Sequence, residues 1–69
     1  MTITAVLKEG DSYVAVQIIR RGDGHIVDIL SKPTTEKVAQ AAALKFAFHG
    51  NLMYDGRTFT REGTKISVL

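Results

Sequence analysis

The chain has 69 residues, enough for one small domain over 1–69 with a thin core and too few for a deep catalytic cleft. Its 45% hydrophobic and 23% charged residues exclude wholesale disorder, and the absence of cysteine excludes disulfides, thiolate metal sites and thiol catalysis together. Nine Lys and Arg against seven Asp and Glu leave a net charge of +2, which permits a polyanionic partner without requiring one.

From Thr2 to Lys8, Ile3, Ala5 and Leu7 alternate with Thr2, Thr4, Val6 and Lys8, the two-residue period of a strand. Glu9-Gly10-Asp11-Ser12 is turn chemistry. Tyr13 to Arg21 predicts a second strand, with Val14, Val16 and Ile18 on one face and Tyr13, Ala15, Gln17, Ile19 and Arg21 on the other. Gly22-Asp23-Gly24 predicts a second hairpin loop, and His25 to Leu30 a third strand with Val27 and Ile29 on one face.

Pro33 closes the strand region. Thr34 and Thr35 suit an N-cap, and Glu36 stands where the helix dipole favours an anion. Lys37 to His49 contains five alanines and no Gly, Pro or Asn, so a helix is predicted there, ended by a left-handed cap at Gly50-Asn51. Leu52-Met53-Tyr54 and Arg57 to Thr60 flank Asp55-Gly56, a two-residue hairpin signal. Glu62-Gly63 reads as a turn, and Lys65 to Leu69 as a closing strand.

The order βββαββ(β) predicts an α+β fold, a single antiparallel sheet of five or six strands with one helix packed on one face. Val14, Val16, Ile18, Val27, Ile29, Ile66 and Phe46 are expected in the seam between them, with Phe46→Ala costing roughly 3–5 kcal/mol. At 100° per residue the helix carries two apolar stripes. Val38, Ala39, Ala42, Ala43 and Phe46 form one, and Ala41, Leu44 and Phe48 form another nearly opposite. One sheet can cover one stripe. Either a curled sheet or terminal strand covers the second, or Leu44 and Phe48 meet a partner or a second copy of the chain.

No local pattern carries catalysis or a cofactor. His25 and His49 lie on different predicted elements without neighbouring carboxylates at ligand spacing. Ser12, Ser31 and Ser67 lack a glycine elbow, Asp28 has no partner carboxylate, and Gly22 and Gly24 open no helix that could cradle a phosphate. Arg21-Gly22-Asp23 is explained by its turn. A non-enzymatic protein is expected. Arg57, Phe59 and Arg61 alternate onto one strand face, Tyr13, Gln17 and Arg21 onto another, and Arg20 adds a cation. Guanidinium groups beside aromatics suit single-stranded nucleic acid. Open edge strands also offer assembly by strand pairing.

At the helix exit, Phe48-His49-Gly50-Asn51-Leu52-Met53 resembles the short phage-encoded anti-CRISPR proteins that inhibit type I Cascade surveillance complexes. The resemblance implies a binding inhibitor that blocks target-DNA access, built on an antiparallel sheet with one helix. That family uses basic and amide residues along its helix. Here the helix departs from that pattern, offering only Lys37, Gln40 and Lys45 among alanines, so no individual residue is carried over; the expected partner-binding face is Leu44 and Phe48 with Lys37, Gln40 and Lys45. The expected function is therefore occlusion of a host protein complex, with a homodimer or a single-stranded nucleic-acid module through Arg20, Arg21, Arg57, Phe59 and Arg61 as alternatives. No apolar run spans a membrane and Met1-Thr2-Ile3-Thr4 is unlike a signal peptide, so a cytoplasmic location, in the host cell if phage-encoded, is expected.

Overall fold

The computed structural model describes residues 2–50, 52–63 and 65–69. Five strands and one helix follow in the order β1 (Thr2–Glu9), β2 (Ser12–Arg21), β3 (Gly24–Ile29), α1 (Glu36–Gly50), β4 (Met53–Glu62) and β5 (Lys65–Val68). The fold is α+β, and the strands form one sheet in the spatial order β3-β2-β1-β4-β5.

The sheet is mixed rather than purely antiparallel. Tight turns make β1–β2, β2–β3 and β4–β5 antiparallel, but β1 and β4 run parallel, from Ile3 opposite Met53 to Lys8 opposite Thr60. The helix is the cause. Two hairpins leave β3 pointing the same way as β1, and α1 carries the chain back to the starting end, so β4 must enter alongside β1 in the same direction.

Asp55-Gly56 does not turn a hairpin, because β4 runs unbroken through it as a bulged strand. Four residue steps from Tyr54 to Thr58 on β4 match two from Thr4 to Val6 on β1. Gly56 takes φ +74°, which other residues rarely adopt, and the Asp55 carboxylate accepts from the Arg57 backbone N–H at 3.0 Å. A continuous strand keeps its pairing with β1 on both sides of the bulge, which two short hairpin arms would forfeit.

The start of α1 follows the sequence. The Val38 N–H donates to the Thr35 hydroxyl at 3.3 Å and the Ala39 N–H to the Thr35 carbonyl at 2.9 Å, so Thr35 is the N-cap. Just before it, Thr34 exchanges two backbone hydrogen bonds of 2.9 Å with Tyr13, tying the helix entrance to β2. At the exit Gly50 remains helical, so the left-handed cap does not fall there, and Asn51 lies outside the described residues.

The seam differs most from expectation. Val14, Val16 and Ile18 are buried, with Val27 and Ile66 packed against them, but in a cluster with Ala5, Leu7 and Phe59 on the sheet face turned away from α1. Beneath the helix lie instead Val6, Ala15, Ala39 and Ala43, flanked by Tyr13, Leu30, Ala42 and Tyr54. Ile29 is 53% exposed and Phe46 43% exposed, so neither belongs to the seam. Two causes combine. The alanine face of α1 permits a close approach that the Phe46 ring would prevent, and the sheet curls into a half-barrel that buries its own concave face without a second layer. The curl brings β3 and β5 to either side of a gap of about 550 Å³ lined by Asp23, Gly24, His25, Lys65, Ile66 and Ser67.

Candidate functional site

Two surfaces on opposite faces of the sheet gather the residues singled out in the sequence. The first is the outer side of α1. With Ala39 and Ala43 against the sheet, the helical repeat places Lys37, Ala41, Leu44 and Phe48 along one outward line at spacings of four, three and four residues. Leu44 is 53% and Phe48 84% exposed, so the sheet covers the alanine stripe only. The Phe48 ring meets only its neighbour His49 among described ring contacts, edge to face at 5.6 Å. Lys37, at the head of this line, and Lys45, beside it, are both exposed. Gln40 is not part of it: half-buried, it donates from Nε2 to Glu36 Oε1 at 3.2 Å.

The second surface is the mouth of the half-barrel, a cleft of about 500 Å³. Alternation along the strands supplies its walls: Ile3 from β1, Ile18 from β2, Met53 and Phe59 from β4, Ile66 and Val68 from β5. Arg20, His25, Asp55 and Arg57 also line it. Arg20 donates from Nε to His25 Nε2 at 3.2 Å. Arg57 donates from Nε and Nη2 to Asp55 Oδ2 at 3.2 and 3.0 Å, with its guanidinium carbon 5.5 Å from the Phe59 ring centre. The bulge creates this pairing. Two extra residues preserve the alternation of β4, so Arg57 and Phe59 still face inward while Asp55 folds back onto the Arg57 guanidinium.

The structure thus brings Arg20, Arg57 and Phe59 together and leaves the other two basic residues apart. Arg61 donates from Nε to the Gly63 carbonyl at 2.8 Å and pairs with Glu9 at 3.7 Å. Arg21, next to Arg20 and so of opposite strand parity, is exposed at the end of β2, while Tyr13 and Gln17 of the same parity lie on the helix-covered face. Phe59 is only 7% exposed and forms the cleft floor rather than a stacking platform.

No protein-family model matches the chain, and no curated protein or solved structure matches it at a significant level. What the surfaces do has therefore to be read from their chemistry. Sequence reasoning missed the cleft residues His25, Asp55, Ile3, Met53 and Val68. Strand parity places Ile3 and Ile18 on the same face, but the curl that turns this face into a cleft joins residues some fifty positions apart. Among the described residues no three His, Asp or Glu side chains are placed to hold a metal ion, and no helix is long and apolar enough to cross a membrane.

Near the helix entrance, Tyr54 stands partly buried beside two carboxylates. Burial raises its phenol above the ordinary value of 10, and the Asp55 and Glu36 carboxylates push in the same direction. It sits in the packed layer under α1, outside both surfaces.

Proposed function

We propose that this chain is a non-enzymatic binding protein that occludes a larger protein assembly with the outer side of α1. The carrying observation is the exposure of Leu44 and Phe48 on a helix whose opposite side is already seated on the sheet. Val38, at 55%, and Phe46 add apolar surface on the other flank, so α1 presents large side chains to solvent and alanines to its own core. A helix apolar on several sides is characteristic of one covered on several sides. Lys37 and Lys45 border the stripe and supply positive charge at its margin, as suits an acidic or nucleic-acid-laden assembly.

The resemblance at Phe48 to Met53 nominates a type I Cascade complex as the first assembly to test. Purified Cascade is incubated with the protein and its binding to target DNA is followed by gel shift. The wild type is expected to block binding, and a Leu44→Asp/Phe48→Asp variant with an unchanged melting temperature to lose the block. A folded variant as effective as the wild type would remove the helix from the mechanism.

A single-stranded nucleic-acid module is favoured by one observation, the convergence of Arg20 and Arg57 over Phe59. Burial of that ring counts against it, since stacking needs an open aromatic face. Should an oligonucleotide bind, changing Arg20 and Arg57 together to Ala should flatten the slope of log K against log salt by about 1.4, at roughly 0.7 per phosphate contact.

A further inference from the structure

The geometry points to a second site, independent of the helix: we infer that the mouth of the half-barrel binds a small amphipathic carboxylate, its hydrocarbon body against Phe59 and the isoleucines and its head group at Arg20 and Arg57. Cleft size is the first support. About 500 Å³ lies within the range of small-ligand sites, which recur at the mouths of β-barrels. Composition is the second. Six of the ten lining residues are apolar and come from four strands, namely Ile3, Ile18, Met53, Phe59, Ile66 and Val68. This surface continues directly into the buried cluster of Leu7, Val16 and Ile18, so an alkyl chain entering it extends an existing core.

Charge chooses the head group. Two guanidinium groups and one carboxylate line the cleft, a net positive set even with His25 neutral. Each guanidinium is held by a neighbour rather than left to wander: Arg57 by Asp55 and the Phe59 ring, Arg20 by His25. A planar carboxylate matches the paired N–H groups of a guanidinium fork. A cationic head would instead face two like charges, and a neutral alcohol would gain no ionic contact. Asp55 sets a limit on the charge tolerated, because a multiply charged head would be driven against its carboxylate.

The full chain, labelled with nitrogen-15, is titrated by NMR with octanoate, 1-octanol and octylammonium, each below its aggregation limit. Octanoate is expected to saturate, with amide shifts centred on residues 3, 18, 25, 57–59 and 66. The alcohol and the amine should bind at least fivefold more weakly. Arg20→Gln combined with Arg57→Gln, both at the open rim, should lower octanoate affinity to that of the alcohol. The wild-type comparison stands by itself should that variant not fold. Equal affinity for the three probes, or shifts centred on α1, would overturn the inference. So would a ten-residue thymidine oligonucleotide that saturates the same amides at a lower concentration than octanoate, which would give the cleft to nucleic acid. Because α1 lies on the opposite face, loss of Cascade inhibition in the helix variant leaves this outcome untouched.

Discussion

Thr4 is wholly buried on the helix-facing side of β1, opposite Gln17 and Tyr54, and its hydroxyl finds no hydrogen-bond partner among the described residues. A buried hydroxyl without a partner costs about 1–3 kcal/mol. Thr4→Val keeps the shape and removes that cost, and should raise stability by about 1 kcal/mol, read as a higher urea midpoint at unchanged slope. A lower midpoint would show that the hydroxyl is satisfied in solution. Tyr54, its neighbour across the ladder, ties stability to pH. Its phenol keeps its proton in the folded chain to higher pH than in the unfolded one. Above pH 10 the unfolded state therefore binds fewer protons, and the stability this residue contributes below pH 10 is lost as pH rises through the folded value. In urea melts from pH 8 to 11.5, wild type should lose stability more steeply than Tyr54→Phe, with the two curves diverging only above about pH 10. Parallel curves would mean that the phenol is as free to ionise folded as unfolded.

At the level of the element, α1 is defined by what it lacks. Ala39 and Ala43 bring its backbone close over Val6 and Ala15, and a larger side chain there has nowhere to go. Ala43→Leu should destabilise by about 1–3 kcal/mol through overpacking. Phe46→Ala should cost about 1 kcal/mol, well below the 3–5 expected of a core aromatic, because the ring is already half in water. Thermal melts that reverse this order would return Phe46 to the core. The helix itself was legible: Thr35, Glu36 and the alanine run announce it, and the observed element is one residue longer at each end than predicted. Its seated face was not legible, because periodicity groups Phe46 with Ala39 and Ala43 and cannot say that small side chains win the closest approach. The first three strands were legible for a local reason, since glycine turns and two-residue alternation both act within a few residues. Asp55-Gly56 carries the same local signal as a hairpin. Its outcome was decided by β1, fifty positions earlier, which offers one long strand a complete set of partners.

For the molecule as a whole, β1 is the keystone. It lies between β2 and β4, under α1 on one side and over the concave cluster on the other, and Ala5, Val6 and Leu7 have no exposed surface. The two edges are thinner, with β3 exposed at five of its six positions and β5 at three of four. Hydrogen exchange should reflect this gradient. Amides of residues 4–7 and 14–18 should exchange only through global opening, and those of β3 and β5 at least a hundredfold faster through local opening. Uniform protection across the five strands would show that the half-barrel opens as a single unit. The gradient also bears on the cleft, whose β5 wall, Ile66 and Val68, belongs to the exposed edge of the sheet while Ile3 and Ile18 belong to its interior strands β1 and β2.

The parallel pairing of β1 with β4 has a consequence for synthesis on the ribosome. The central strand emerges well before its second partner, which is encoded about fifty residues later, an interval of roughly 3–10 s at ordinary rates of translation. Throughout that interval β1, β2 and β3 can form only a meander, with Leu7, Val16 and Ile18 open to solvent or to whatever chaperone attends the nascent chain. β4 then acts as a latch: until it leaves the exit tunnel the side of β1 away from β2 has no partner, and slowing its arrival lengthens the window in which two nascent chains can pair with each other instead.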